Sequence, residues 1–123
     1  MKKKARVSII NSNDNYEYIV DIEKVNNKIN YQEDNTNVLY DIDNKLLIRD
    51  NNEMYMELDF VKEIGNIYMK ELKKSIDINL KVNKIISDEN HIEIEYKLEN
   101  EIYKYSISME WYYEYYKRNR RSN

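Results

Sequence analysis

Few side chains here are of the kinds that make and break bonds. His91 is the single imidazole, and the 123 residues include no Cys, no Pro and one Gly. Thiol chemistry, disulfides, Cys-based zinc sites and glycine-rich phosphate loops therefore lack their parts. A Ser-His-Asp arrangement could be drawn around His91, but the chain has no nucleophile elbow to present the serine. Glu93 and Glu95 stand two apart, a spacing that glycosidase-like carboxylates could use. They alternate with Ile92, Ile94 and Tyr96, so they are expected to point into water, away from the burial that tunes a general acid. No cluster of His, Asp and Glu has metal-ligand spacing. Neither catalysis nor a metal or other cofactor is expected.

Two other sets of residues could bind. The first is aromatic and cationic: the chain carries 13 Tyr and one Trp, and a buried tyrosine offers an apolar ring with a hydroxyl handle. Arg49 follows the apolar run Leu46-Leu47-Ile48. If Leu47 and Arg49 share a face, the guanidinium sits among apolar neighbours and requires a carboxylate of the chain or an anionic group of a ligand. If Ile48 points inward instead, Arg49 lies on the surface, and a continuous apolar run leaves both readings open. With Tyr96, Tyr105 and Trp111, Arg49 makes up the candidate ligand-binding set.

The second set is electrostatic. Lys2, Lys3, Lys4 and Arg6 crowd the start and Lys117, Arg118, Arg120 and Arg121 the end, while all 23 acidic residues fall between Val7 and Tyr116. The acidic body would repel a phosphate backbone, so nucleic acid is not the favoured partner. If both termini leave one end of the fold, their cations form a patch for RNA or a partner protein, with Tyr112, Tyr113, Tyr115 and Tyr116 as an aromatic strip beside it. The plainer reading is two frayed, solvated tails at 1–4 and 117–123 and a tyrosine strip packed on the rim of the fold.

These residues need elements to position them, and the dominant signal is an alternation of period two. Ile76, Ile78, Leu80 and Val82 alternate with polar residues, as do Ile92, Ile94, Tyr96 and Leu98, and again Tyr103, Tyr105, Ile107, Met109 and Trp111. A two-residue turn at Asn100-Glu101 would pair Leu98 with Tyr103, Tyr96 with Tyr105, Ile94 with Ile107, Ile92 with Met109 and His91 with Glu110. Upstream, Val7 and Ile9, Tyr16 to Ile22, Ile29 and Tyr31, Val38 to Ile42, Leu46 to Arg49, and Met54 to Phe60 read as further strands. Asn-rich stretches serve as their turns, since Asn tolerates left-handed backbone better than other non-glycine residues. From Ile64 to Leu72 the apolar spacing fits helix and strand alike.

Eight to ten short antiparallel strands joined by tight turns point to an all-β meander in one domain spanning 1–123. Rolling the meander into an up-and-down barrel removes both raw edges; a two-sheet sandwich is the alternative. A barrel of that size holds a packed interior or one small ligand. No apolar run reaches the length of a secretory core or a membrane span, so a cytoplasmic protein is expected, as a monomer or homodimer.

Leu47-Ile48-Arg49-Asp50, the Met54 to Phe60 strand, Gly65 followed by Ile67 and Met69, Leu72-Lys73-Lys74 running to Leu80, and Ile92 to Glu99 resemble, in that order, the YwiB-like proteins. These are small bacterial proteins with a lipocalin-like or calycin-like β-barrel. The resemblance spans Val7 to Trp111 and implies that fold, with strand after Gly65; it implies no reaction or cofactor. The chain departs from the family in its turns, where Asp43-Asn44 and Asp88-Glu89-Asn90 stand in place of glycine. The expected function is that of a non-catalytic barrel binding a small apolar or amphipathic ligand, the alternative being a protein- or RNA-interaction module built on the basic ends.

Overall fold

The computed structural model describes the backbone of residues 2–11 and 13–110, all of it strand or the short connections between strands. Ten strands follow in order: β1 (Lys2–Asn11), β2 (Asn15–Val25), β3 (Lys28–Glu33), β4 (Thr36–Asp41), β5 (Leu46–Asp50), β6 (Met54–Asp59), β7 (Ile64–Met69), β8 (Lys74–Ser87), β9 (His91–Leu98) and β10 (Glu101–Glu110). Each pairs antiparallel with its neighbour in sequence, and β1 also pairs with β10, so the sheet closes. The expected up-and-down barrel of lipocalin or calycin type is thus present, and the sandwich is not. Closure leaves no terminal strand edge exposed.

Asparagine and aspartate shape most of the turns. Asn26 and Asn27, at φ 53° and 58°, form the two-residue turn between β2 and β3, which demands a positive φ at both positions. The side-chain oxygens of Asn11, Asn51, Asp59 and Asp88 each accept two backbone N–H groups from residues two and three further on. That geometry satisfies donors the ladders leave unpaired. Elsewhere Lys45, Glu63, Lys73 and Glu99 occupy left-handed backbone without being Gly or Asn, at about 1 kcal/mol each.

The β9–β10 turn corrects one expected register. Leu98 pairs with Glu101 and Tyr96 with Tyr103, so the turn is Glu99-Asn100, one position earlier than Asn100-Glu101. Both registers put every apolar residue on the same face, so period two cannot separate them. What the observed register gains is a cross-strand stack of Tyr96 on Tyr103, with ring centroids 5.5 Å apart. It also moves His91 from Glu110 to Ser108, with Nδ1 3.0 Å from the serine Oγ.

The stretch after Gly65, whose apolar spacing fits helix and strand alike, is strand. Gly65 is buried between Leu58 and Ile78, with Ile67 and Met69 in phase on the inner face. Val82 is followed by a bulge, and β8 continues to Ser87.

Call the end where β1 begins and β10 ends the lower end; Lys4 pairs with Glu110 there, so the described termini do emerge together. The inner face at this end is largely aliphatic: Ala5, Val7, Ile29, Ile92, Ile94 and Ile107 have no exposed surface, and Tyr40, paired with Ile29, is buried among them. Phe60 and Ile42, from loops at the same end, pack against this cluster. On β8–β10 the outward positions include Lys81, Lys97, Glu95 and Lys104, while Ile19, Ile64 and Ile102 are apolar side chains exposed on the same outer face. Among the described residues no helix is long and apolar enough to cross a membrane.

Candidate functional site

Register decides where Arg49 points. Residues paired across an antiparallel ladder project to the same face, and the inner row runs Ile22, Tyr31, Val38, Arg49, Met56, Ile67, Ile76 through successive pairs from β2 to β8. Leu47, two residues before Arg49, is 2% exposed. Arg49 therefore points into the barrel, and Ile48 points out.

The partner it requires is a carboxylate of the chain. Glu33 closes β3 in phase with Ile29 and Tyr31, and its Oε2 accepts from Nη2 of Arg49 at 2.9 Å, the two side chains keeping only 17% and 23% of their surface. Burial works against the guanidinium charge, but the Coulombic attraction and hydrogen bond of Glu33 outweigh it and raise the Arg49 pKa.

Tyrosines surround this pair. Tyr16, Tyr18, Tyr31, Tyr96 and Tyr105 all lie within electrostatic reach of Arg49. The hydroxyls of Tyr31 and Tyr105 share a buried hydrogen bond of 2.5 Å. Tyr16 stacks on Tyr18 with centroids 6.0 Å apart, and Phe60 tilts against Tyr96 at 5.2 Å. Burial is the main force raising the pKa values of Tyr18, Tyr31, Tyr96 and Tyr105. For Tyr18 the neighbouring Tyr31 and Glu33 push the same way. These phenols remain protonated and able to donate.

Tyr18 stands apart in one respect. Its hydroxyl is shut off from solvent, yet no acceptor or donor meets it at hydrogen-bonding geometry, although Tyr31 and Glu33 are close enough to influence its proton. An unsatisfied buried hydroxyl costs about 1–3 kcal/mol.

Above this layer the inner face changes again. Toward the upper end, Met54 pairs with Met69 and Ile67 with Ile76, all in phase with the buried Leu58, Gly65 and Leu80. Met54 is nevertheless 37% exposed and Ile76 48%. These side chains are in phase with the inner face and still meet solvent, so an apolar strip on β6–β8 is exposed at this end. On the opposite side β2 pairs with β3 only through Ile22–Val25, and Asn15–Asp21 take no part in that seam. Tyr16 and Tyr18 belong to this stretch.

Of the residues singled out from sequence, Arg49, Tyr96 and Tyr105 come together in one layer of the interior. Trp111 and the patch Lys117, Arg118, Arg120 and Arg121 lie outside the described residues. His91 and Glu93 are elsewhere, at the lower outer surface, where Glu93 also meets Lys104 at 3.5 Å. Sequence reasoning missed Tyr16, Tyr18, Tyr31 and Glu33. Their signal was phase: in β2 and β3 these residues fall on the same alternation as Val20, Ile22 and Ile29. Family models, curated proteins and solved structures, each compared with this chain, yielded no match.

Proposed function

We propose that this protein is a non-catalytic barrel that binds one small amphipathic molecule through a mouth at its upper end. The polar end of the ligand lies among Arg49, Tyr18 and Tyr105, and its apolar part lies along Met56, Ile67 and Ile76. The carrying observation is that one barrel interior holds both a sequestered hydroxyl that meets no partner at hydrogen-bonding geometry and inward-phased apolar side chains that water reaches. A ligand with one polar group relieves both at once: the hydroxyl gains a hydrogen bond, and the apolar wall leaves water at about 25 cal/mol per Å² buried. The cluster has no nucleophile paired with a general base, which supports binding over turnover.

Nile red, an uncharged amphipathic fluorophore, tests this directly. Saturable binding with a blue-shifted emission is expected, lost in Tyr105→Ala or Tyr96→Ala variants that retain the barrel's circular dichroism. Native mass spectrometry of freshly purified protein is expected to show a bound small molecule that the same variants shed. Absence of both saturable dye binding and a bound mass would overturn the reading.

A further inference from the structure

We infer that the ligand's polar end is an uncharged hydrogen-bond acceptor, a hydroxyl or carbonyl oxygen, and that Glu33 is the residue that sets this selectivity. The inference rests on the reading of the mouth as a ligand site and adds the class of head group it takes. An inward-facing arginine by itself would select an anion. Here Glu33 Oε2 already stands 2.9 Å from Nη2, so the guanidinium charge is answered inside the protein. A carboxylate or phosphate head brought to Arg49 would lie beside the Glu33 carboxylate, and an ammonium head brought to Glu33 would lie beside Arg49. Either meets a like charge at a partly buried site, where repulsion is stronger than in bulk water. The five surrounding phenols hold their protons and add no charge to offset it.

An uncharged oxygen escapes this conflict and finds donors waiting. The Tyr18 O–H lies near Tyr31 and Glu33 but meets neither at hydrogen-bonding geometry, so it can turn to an incoming oxygen. Arg49 spends one N–H on Glu33 and has further N–H groups in its planar fork. Met56 and its neighbours on β6 and β7 suit a flexible aliphatic tail, because methionine adapts its shape to what packs on it. Glu33 thus works as a built-in counter-ion that turns an anion site into a site for neutral acceptors.

Decanol, decanoate and decylammonium, which share one chain and differ in the head, separate the cases by displacement of Nile red from the full chain. Decanol is expected to bind at least about tenfold tighter than either ion. Decanol also leaves water more readily than decanoate, so the deciding quantity is how variants change the ratio. Glu33→Gln is expected to move the decanol-to-decanoate ratio toward decanoate by about tenfold or more. Tyr18→Phe is expected to weaken decanol by about two- to tenfold, with the variant's own Nile red affinity measured first and used to convert the displacement. Should Glu33→Gln fail to fold, Tyr18→Phe still decides. Tighter binding of decanoate to the unaltered protein, a ratio indifferent to Glu33→Gln, or decanol binding indifferent to Tyr18→Phe would each overturn the head-group assignment and leave amphipathic binding standing. Failure of all three compounds and of Nile red itself to bind would overturn the proposed function along with it.

Discussion

The lower and upper halves of the barrel interior are built by the same strands and the same alternation, yet they are different materials. Along β2 the inward residues pass from Ile22, which is 1% exposed, to Tyr16, which is 43% exposed. Along β3 they pass from Ile29 to Tyr31 to Glu33, and along β5 from Leu47 to Arg49. The lower half is a largely aliphatic core that also buries Tyr40 and packs on loop residues such as Phe60. The upper half gathers an ion pair, a ring of phenols and a wetted apolar wall. The first stabilises the fold, whereas the second holds polar groups that a core optimised for stability would exclude. A barrel that needed only to be stable would repeat the lower half upward.

Truncation tests the contrast most strongly. Ile107→Ala or Ile22→Ala in the lower half is expected to cost about 2–5 kcal/mol, because the surrounding closed sheet cannot collapse onto the void. Ile76→Ala in the upper wall is expected to cost less than about 1 kcal/mol, since nearly half its surface already meets water. Urea unfolding of the three variants reads both. Equal losses would mean that the wall is core and that the mouth is closed in solution.

Arg49→Met comes next, at about 1–3 kcal/mol, because Glu33 would then stand without its partner among phenols. The loss is held to that range by the solvent that still reaches both side chains. Glu33→Gln combined with Arg49→Met is expected to recover part of it, since removing both charges leaves no orphan. A double-mutant cycle with no coupling would show that the pair is a surface contact.

How much of this was legible beforehand differs between the halves for a physical reason. The closed barrel followed from alternation, since Ile92, Ile94, Tyr96 and Leu98 can all face one side only in a strand. Strand phase also placed Tyr96 and Tyr105 inside. It could not place Arg49, because Leu46-Leu47-Ile48 is apolar in both phases, and only pairing with Val38 and Met56 settles which side faces in. It could not find Glu33, since an acid at a strand end looks like a solvated one until a neighbouring strand brings a guanidinium to it. The β9–β10 register was invisible for a related reason: a shift of one position in the turn leaves every face unchanged.

A smaller and distinct effect separates the tyrosines by pH. Burial raises the pKa values of Tyr18, Tyr31, Tyr96 and Tyr105, and that of Tyr40 to about 12. A group whose folded pKa lies above its unfolded value, about 10 for tyrosine, stabilises the fold fully below that value. Its contribution is lost as pH rises toward the folded pKa. Stability is therefore expected to fall above about pH 10. Ultraviolet titration should show an exposed class of tyrosines ionising reversibly and a buried class ionising only as the circular dichroism collapses. Tyr31→Phe is expected to reduce the amplitude of the second class alone. A single reversible titration of every tyrosine would remove the distinction between buried phenols and the rim.

Gly65 lies where the two materials meet, and the smallest expected effect is there. A Cβ at this position would stand 3.1 Å from Leu58 Cδ2, 3.3 Å from the Ile78 carbonyl oxygen and 3.5 Å from Ile78 Cβ. Replacing a strand glycine with alanine recovers about 0.5–1 kcal/mol of backbone entropy. Against this, the carbonyl of Ile78 moves only with the β7–β8 ladder, and Leu58, with no exposed surface, has little room to turn. The two terms nearly cancel, so Gly65→Ala is expected to lie between neutral and about 1 kcal/mol destabilising. Gly65→Val should fall clearly below it, by about 1–3 kcal/mol, because its two γ-methyls must displace those neighbours. Thermal unfolding of the two variants places the boundary: if Gly65→Ala stabilises by the full entropy term, Leu58 yields and the loosely packed upper interior reaches down to it. If both variants lose stability in order of size, the close-packed half extends up to Gly65, and the space open to a ligand begins above it, at Met56 and Ile67.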